Sequence, residues 1–477
     1  MIRLSYEQKE DIGLKYVRDM LDPASPYGVK YLKAEGFYGS ARQQALEEEL
    51  NNIALLRRDL EEAGDAAADL VHALSELKDL SGTFANGMTQ ALTEVELFEL
   101  SAFCRRMREL KRLAEKLPSY PQLAGTRLEP VEDALRVLDP AGSSAGGFYI
   151  EDDRTPALAR ARGAKRAAEL KLRAAAEEER EELLRQRQEA ARQEEDALRA
   201  VYAAMSAALR PYLPVLQRDA AAAGRLDADI AKALLARRLG CTRPEMGGGD
   251  LVLEEAVHPQ VAAALAERGR DFTPITMTLS RGVTVLTGAN MGGKSIALKT
   301  ALLNAALALS GCFVFARRAR VPFFDRIEVI NRDFSNASQG LSSFGGEILR
   351  LKEALENLRE GGLSLIVMDE LARGTNAREG AHIARGTVRY LADKNAVTLL
   401  ATHYDGAAEG AVRHYQVKGL AERDEAAWQP AGDGRDGLRR IENAMDYGLI
   451  EVRPGTECPR DAVAICRLLG LPEEILS

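Results

Sequence analysis

Cysteine is scarce and badly placed for any covalent framework. The five in this chain of 477 residues (Cys104, Cys241, Cys312, Cys458 and Cys466) show no CxxC spacing. That excludes a disulfide scaffold and a thiolate zinc site, and leaves reduced, mostly buried thiols. Five scattered histidines offer no zinc constellation either. No signal peptide opens the chain and no apolar run is long enough to span a bilayer. The expectation is a cytoplasmic protein with no membrane partner. Basic residues are not in excess: Lys+Arg 64 against Asp+Glu 72 gives a net charge of −8. Nucleic-acid binders usually show a basic face, so composition lends DNA binding no support, though a local basic patch is still allowed.

Glycine and proline are missing where helices are expected. From Pro156 to Ser206 the sequence holds Gly163 and no further proline, and is rich in Glu/Arg pairs at i,i+4. The pattern predicts one long helix over about 156–206, which at 1.5 Å per residue would be about 75 Å long. Its positive charges are matched by nearby acids, so it makes no electrostatic groove by itself. Ala41–Gly64 and Leu92–Leu117 also show helical periodicity, and Pro118, Pro121, Pro130 and Pro140 break the pattern into turns. The expected division is a helical part over 1–245 and an α/β part over 246–477.

The chemistry concentrates in the second part. Residues 287–300 read TGANMGGKSIALKT, and Gly288, Gly293, Lys294 and Ser295 complete G-x-x-x-x-G-K-[ST]. An apolar run, Gly282–Leu286, precedes it as a strand, and a helical pattern, Ile296–Leu309, follows. Strand, glycine loop and helix together make a phosphate cradle, with free N–H groups and the positive dipole end facing the anion. Gly288, Gly292 and Gly293 let the backbone come close. Lys294 would reach the β/γ-phosphates of ATP, and the Ser295 hydroxyl would bind Mg²⁺.

A second segment, LSLIVMDEL over Leu363–Leu371, reads as a buried parallel strand ending in two acids. Asp369 would hold Mg²⁺, and Glu370 would act as general base on the attacking water. Val397–Tyr404 (VTLLATHY) is a further buried strand that ends in His403, placed to sense or position a γ-phosphate.

In this order GANMGGKS, SSFGGEI (Ser342–Ile348), MDELARGTN (Met368–Asn376) and ATHY (Ala401–Tyr404) resemble the ATPase domain of the MutS family, within the larger ABC-type group. Phe313–Ile327 and the pair His258–Pro259 are similar to that family as well. The resemblance implies an α/β P-loop NTPase domain preceded by an all-α core domain with long lever helices. It implies that Phe272 stacks on adenine, that Asn290 sits in the phosphate loop with Met291 and Gly292, and that Ser342 and Ser343 face a partner subunit's nucleotide. Composite sites of that kind imply a homodimer, or a heterodimer with a related MutS-like subunit. Tyr447 is a candidate second residue against the adenine.

Weaker resemblances extend upstream: Asp22–Gly28 (DPASPYG) to the start of the family's core domain, and Leu226–Glu245 to the return of the lever helices. A mismatch-reading domain, a connector, a clamp between 150 and 165 and a nuclease-like domain are not expected. Three functions remain open: a MutS-like ATPase dimer acting on DNA, a motor of the same design acting on a protein client, and a scaffold that binds ATP without turnover. The tail segments ThrHisTyrAspGly and HisTyrGlnValLysGly resemble the ATPase component of reactivases for cobalamin-dependent lysine 5,6-aminomutase, which gives the second its client.

Overall fold

The computed structural model describes residues 2–62, 65–140, 142, 150–288, 293–331, 343–420, 445–454, 456–457, 466–467 and 471–476. The chain divides into two compact units. One comprises Pro23–Ala34 with Arg58–Ala231; the other comprises Met1–Asp22, Glu35–Arg57 and Lys232–Ser477.

The first unit is built from helices. Thr93 starts the helix Glu94–Ala114: its hydroxyl accepts the Glu96 N–H, and the Glu96 carboxylate accepts the Thr93 N–H. Leu97, Leu100, Cys104, Met107 and Leu110 then recur every three or four residues and are buried along one face. Asp227 fixes the entry to the helix Pro26–Ala34 by accepting the N–H groups of Ala24 and Ser25 and the Ser25 hydroxyl. A Cβ at Gly28 would collide with that carboxylate, which gives the glycine of the DPASPYG segment its physical reason.

The single long helix expected over 156–206 is instead two helices, Pro156–Ala174 and Glu177–Leu209, with Ala175 and Ala176 in extended conformation. They pack as an antiparallel hairpin. Glu194 binds Arg162 and Lys165, and nearer the turn Glu169 binds Arg187. Cross-hairpin pairing decides the break, and the run Glu177–Glu179 suits the positive end of the second helix. Among the described residues no helix is long and apolar enough to cross a membrane.

Among the described residues the second unit holds ten strands: β1 (Glu245–Met246), β2 (Leu251–Ala256), β3 (Ile275–Leu279), β4 (Gly282–Thr287), β5 (Arg318–Val321), β6 (Arg326–Ile330), β7 (Ser364–Asp369), β8 (Ala396–Ala401), β9 (Arg413–Leu420) and β10 (Met445–Val452). Four form a smaller sheet in the order β1-β5-β2-β3. The larger sheet runs β10-β9-β4-β8-β7-β6, parallel throughout except for β10 on its edge.

Every residue of β4 and β8 is buried, and β7 is buried as far as Met368. Such continuous apolar strands belong to a sheet covered on both faces. The helix Lys294–Leu309 follows β4 and is buried along nearly its whole length. The helix Ala377–Leu391 joins β7 to β8. Register sets the site: Ala401 pairs with Leu286 on one side and Asp369 on the other, so the carboxyl ends of β4, β8 and β7 lie together.

Candidate active site

Gly288 leaves β4 at φ +152° and Gly293 enters the helix at φ +86°, conformations that need glycine. Between them, Asn290, Met291 and Gly292 lie outside the described residues, as does Ser342. Ser343 is the first residue of the helix Ser343–Asn357. Lys294 turns inward, its side chain 4% exposed, and its ammonium donates to the Gly288 carbonyl at 2.8 Å.

A cavity of about 530 Å³ opens against this helix start. Lys294, Ser295, Glu370, Phe272 and Tyr447 all line it, with Val261, Leu265 and Ile275 as apolar wall. Phe272 and Tyr447 are thus brought to the phosphate end from segments some twenty residues before it and a hundred and fifty after it. The Tyr447 ring stands so close to Gly293 that a Cβ there would lie 3.0 Å from it.

Asp369, at the end of β7, receives a hydrogen bond from Ser295. Burial pushes its carboxyl above the ordinary range, against that hydrogen bond and the charge of Lys294. Its Oδ1 is buried without a hydrogen-bond partner. An orphaned carboxylate oxygen beside a hydroxyl suits a hard divalent cation, so the residues present fit Mg²⁺. No cluster of three or more His, Cys, Asp or Glu that could hold a metal ion on its own occurs among the described residues.

Glu370 follows with φ +54°, and Ala372 with φ +64°. A side-chain-bearing residue in that region is strained by roughly 1–2 kcal/mol. The Glu370 N–H donates to the Ala401 carbonyl at 2.9 Å, tying the turn to β8. Its carboxylate forms an ion pair with Arg373 and lies 3.9 Å from the Lys294 ammonium and 3.8 Å from His403 Nδ1. His403 sits two residues beyond β8. Burial pushes its imidazole below the ordinary value, with Lys294 and Arg373 acting the same way and Glu370 opposing them. The ring is therefore neutral near pH 7. Arg373 is the residue that sequence reasoning passed over: it stands inside MDELARGTN, but only its return onto Glu370 gives it a place in the site.

The site is thus that of an α/β domain whose polar groups gather at the carboxyl ends of parallel strands, beside a helix N-terminus and an aromatic-walled cavity. Residues 284–476 match the family described as MutS domain V. Among curated proteins the chain is 37% identical over 191 residues to a DNA mismatch repair protein MutS of Haloquadratum walsbyi, covering 40% of this chain and 20% of that protein. It is 31% identical over 261 residues to an endonuclease MutS2 of Thermus thermophilus, covering 54% and 31%. A DNA mismatch repair protein MutS of Thermus aquaticus is 31% identical over 269 residues, covering 55% and 29%. The chain spans between a fifth and a third of the length of these relatives. Its residues 284–476 thus carry the likeness to MutS domain V, and these curated relatives are MutS and MutS2 proteins.

Proposed function

We propose that the second unit binds and hydrolyses Mg·ATP, and that the chain is a MutS-type motor in which this reaction drives an action on DNA. The observation that carries the reading is the convergence of Lys294, Ser295, Asp369, Glu370 and His403 at the carboxyl ends of adjacent strands, beside a cavity walled by Phe272 and Tyr447. Phe272 and Tyr447 hold the base, and Lys294 with the helix N-terminus holds the phosphates. Ser295 and Asp369 hold Mg²⁺, which supplies charge neutralisation when bound. Glu370 orients the water and takes its proton, and neutral His403 positions the terminal phosphate. Ser342 and Ser343 reach the nucleotide of a second subunit. DNA enters from the relatives, which are mismatch repair proteins and endonucleases.

A protein client is the second reading, favoured by the hairpin. Arg162, Lys165 and Arg187 there are already paired with acids across the two helices, so these three offer little to phosphates.

The test is phosphate release and nucleotide binding by the wild type, Lys294→Ala and Glu370→Ala. Lys294→Ala should lose binding. Glu370→Ala should bind as the wild type does, hydrolyse about 10²–10⁴-fold more slowly and accumulate as a closed dimer. Hydrolysis at the wild-type rate would remove Glu370 from its role. Stimulation by duplex, mismatched or branched DNA that persists at physiological salt supports the DNA reading. Turnover indifferent to every DNA form, with capture of a cobalamin-dependent aminomutase, supports the client reading.

A further inference from the structure

The turn that carries Glu370 bends twice through conformations that L-residues avoid, and neither residue is glycine. Something must hold it, and both peptide groups of Ala372 are gripped. Glu347 accepts the Ala372 N–H at 3.1 Å, and the Tyr404 hydroxyl donates to the Ala372 carbonyl at 3.0 Å. Ala372 is fully buried and Glu347 nearly so. Glu347 lies on the helix Ser343–Asn357, and Tyr404 follows β8.

The glycines nearby keep this arrangement open. A Cβ at Gly380 would collide with the Tyr404 hydroxyl and stand 3.1 Å from the Ala372 carbonyl. A Cβ at Gly374 would come within 3.0 Å of Phe344, on the same helix as Glu347. Neither Glu347 nor Tyr404 lines the cavity, so neither is placed to touch a ligand there.

We propose that Glu347 and Tyr404 are positioning residues: together they clamp the turn in its left-handed form and so aim the Glu370 carboxylate at the reacting water. The proposal rests on the ATPase reading above. Its physical content is that alanine at position 372 makes the clamp necessary. Glycine adopts positive φ without strain, so Ala372→Gly should make the clamp partly dispensable. A residue that merely contributes to packing would show no such rescue.

The experiment uses the full chain and compares the wild type with Glu347→Ala, Glu347→Gln, Tyr404→Phe and the double variant Glu347→Ala/Ala372→Gly. Two readings are taken: kcat and KM for ATP, and amide hydrogen exchange over residues 370–374 without nucleotide. Glu347→Ala should lower kcat about 10- to 100-fold, the scale of a misplaced catalytic group, and leave KM unmoved. Glu347→Gln keeps an acceptor and should stay near the wild type. Tyr404→Phe deletes one oxygen and should lower kcat several-fold; it carries the test should Glu347→Ala not fold. The double variant should recover most of the loss, and exchange over 370–374 should accelerate in Glu347→Ala and Tyr404→Phe. Unchanged exchange, an unchanged kcat, or a loss that Ala372→Gly does not restore overturns the clamp. If the wild type itself turns over no ATP, the ATPase reading is what fails, and the exchange data alone decide whether the turn is clamped.

Discussion

Lys232→Met should destabilise the second unit strongly, and more so the higher the pH. The Lys232 side chain is 1% exposed and bridges two carboxylates that are 4% and 0% exposed, Glu35 at 2.5 Å and Glu49 closer still. Tyr38 donates its hydroxyl to Glu49. Burial pushes the Glu35 carboxyl well above its ordinary range, with Lys232 opposing and Glu49 adding to the rise. Burial also works against the Glu49 carboxylate, but Lys232 and hydrogen bonds from Glu35, Lys232 and Tyr38 outweigh it and hold Glu49 below the ordinary range. The cluster therefore sets one buried cation between two carboxylates, of which Glu35 keeps its proton to higher pH than Glu49.

Removing one partner of such a pair costs about 3–5 kcal/mol. Without Lys232 the burial of Glu49 is opposed only by the hydrogen bonds of Glu35 and Tyr38, so its folded-state pKa should rise above the unfolded value of about 4.3. A raised folded pKa gives stability that is present in acid and lost as pH rises. The deficit of Lys232→Met should therefore be smallest near pH 5 and grow toward pH 8, by up to about 1.4 kcal/mol per pH unit until Glu49 ionises or the region opens to water. Urea unfolding followed by far-UV circular dichroism at several pH values measures this. Lys232→Met/Glu49→Gln should recover part of the loss, because the orphaned charge is gone. A deficit below about 1 kcal/mol, or one constant from about pH 5 to about pH 8, would refute the reasoning.

Two further outcomes concern the site. Phe272→Ala should weaken ATP binding by about 2- to 10-fold, the worth of one aromatic stack, and Tyr447→Ala should do the same; titration with a fluorescent ATP analogue reads both. Because the His403 imidazole is held below its ordinary pKa, kcat should stay level as pH falls to about 6.5 and decline only beneath it. His403→Asn should lower kcat and remove that acid limb; a limb above about pH 6.5 that survives the substitution would assign it to another group.

Much of the site was legible because its chemistry is local. The strand, glycine loop and helix of 282–309 are contiguous, so period, glycine and lysine could be read together. Asp369 and Glu370 end an apolar run and His403 follows another, which placed all three at strand ends. What the sequence withheld is what long-range contact decides. Ala175 and Ala176 have the highest helix propensity of any residue, so nothing local marks a break there; the acids and bases facing each other across the hairpin do. Residues 1–22 and 35–57 join the second unit through contacts such as Asp11 with Lys299, and the Tyr38 N–H with the Leu309 carbonyl. No periodicity announces these pairs.

The same distinction separates the motor from its target. Each catalytic role proposed here falls on a side chain whose neighbours in sequence already imply it, and the structure adds the angles: a turn held at positive φ by Glu347 and Tyr404, a carboxylate shared among Arg373, Lys294 and His403. Target recognition has no such local chemistry. The hairpin offers charges, but Arg162 and Arg187 bind Glu194 and Glu169 across it. A phosphate backbone would have to break those pairs to gain contacts of similar strength, so the net gain per contact is small and screened further by salt. A DNA-acting chain must therefore grip elsewhere than on these pairs. That requirement makes the salt dependence of any DNA-stimulated turnover the quantity that discriminates the two targets: a steep slope places a basic surface outside the paired hairpin, and a flat one turns the hairpin toward a protein.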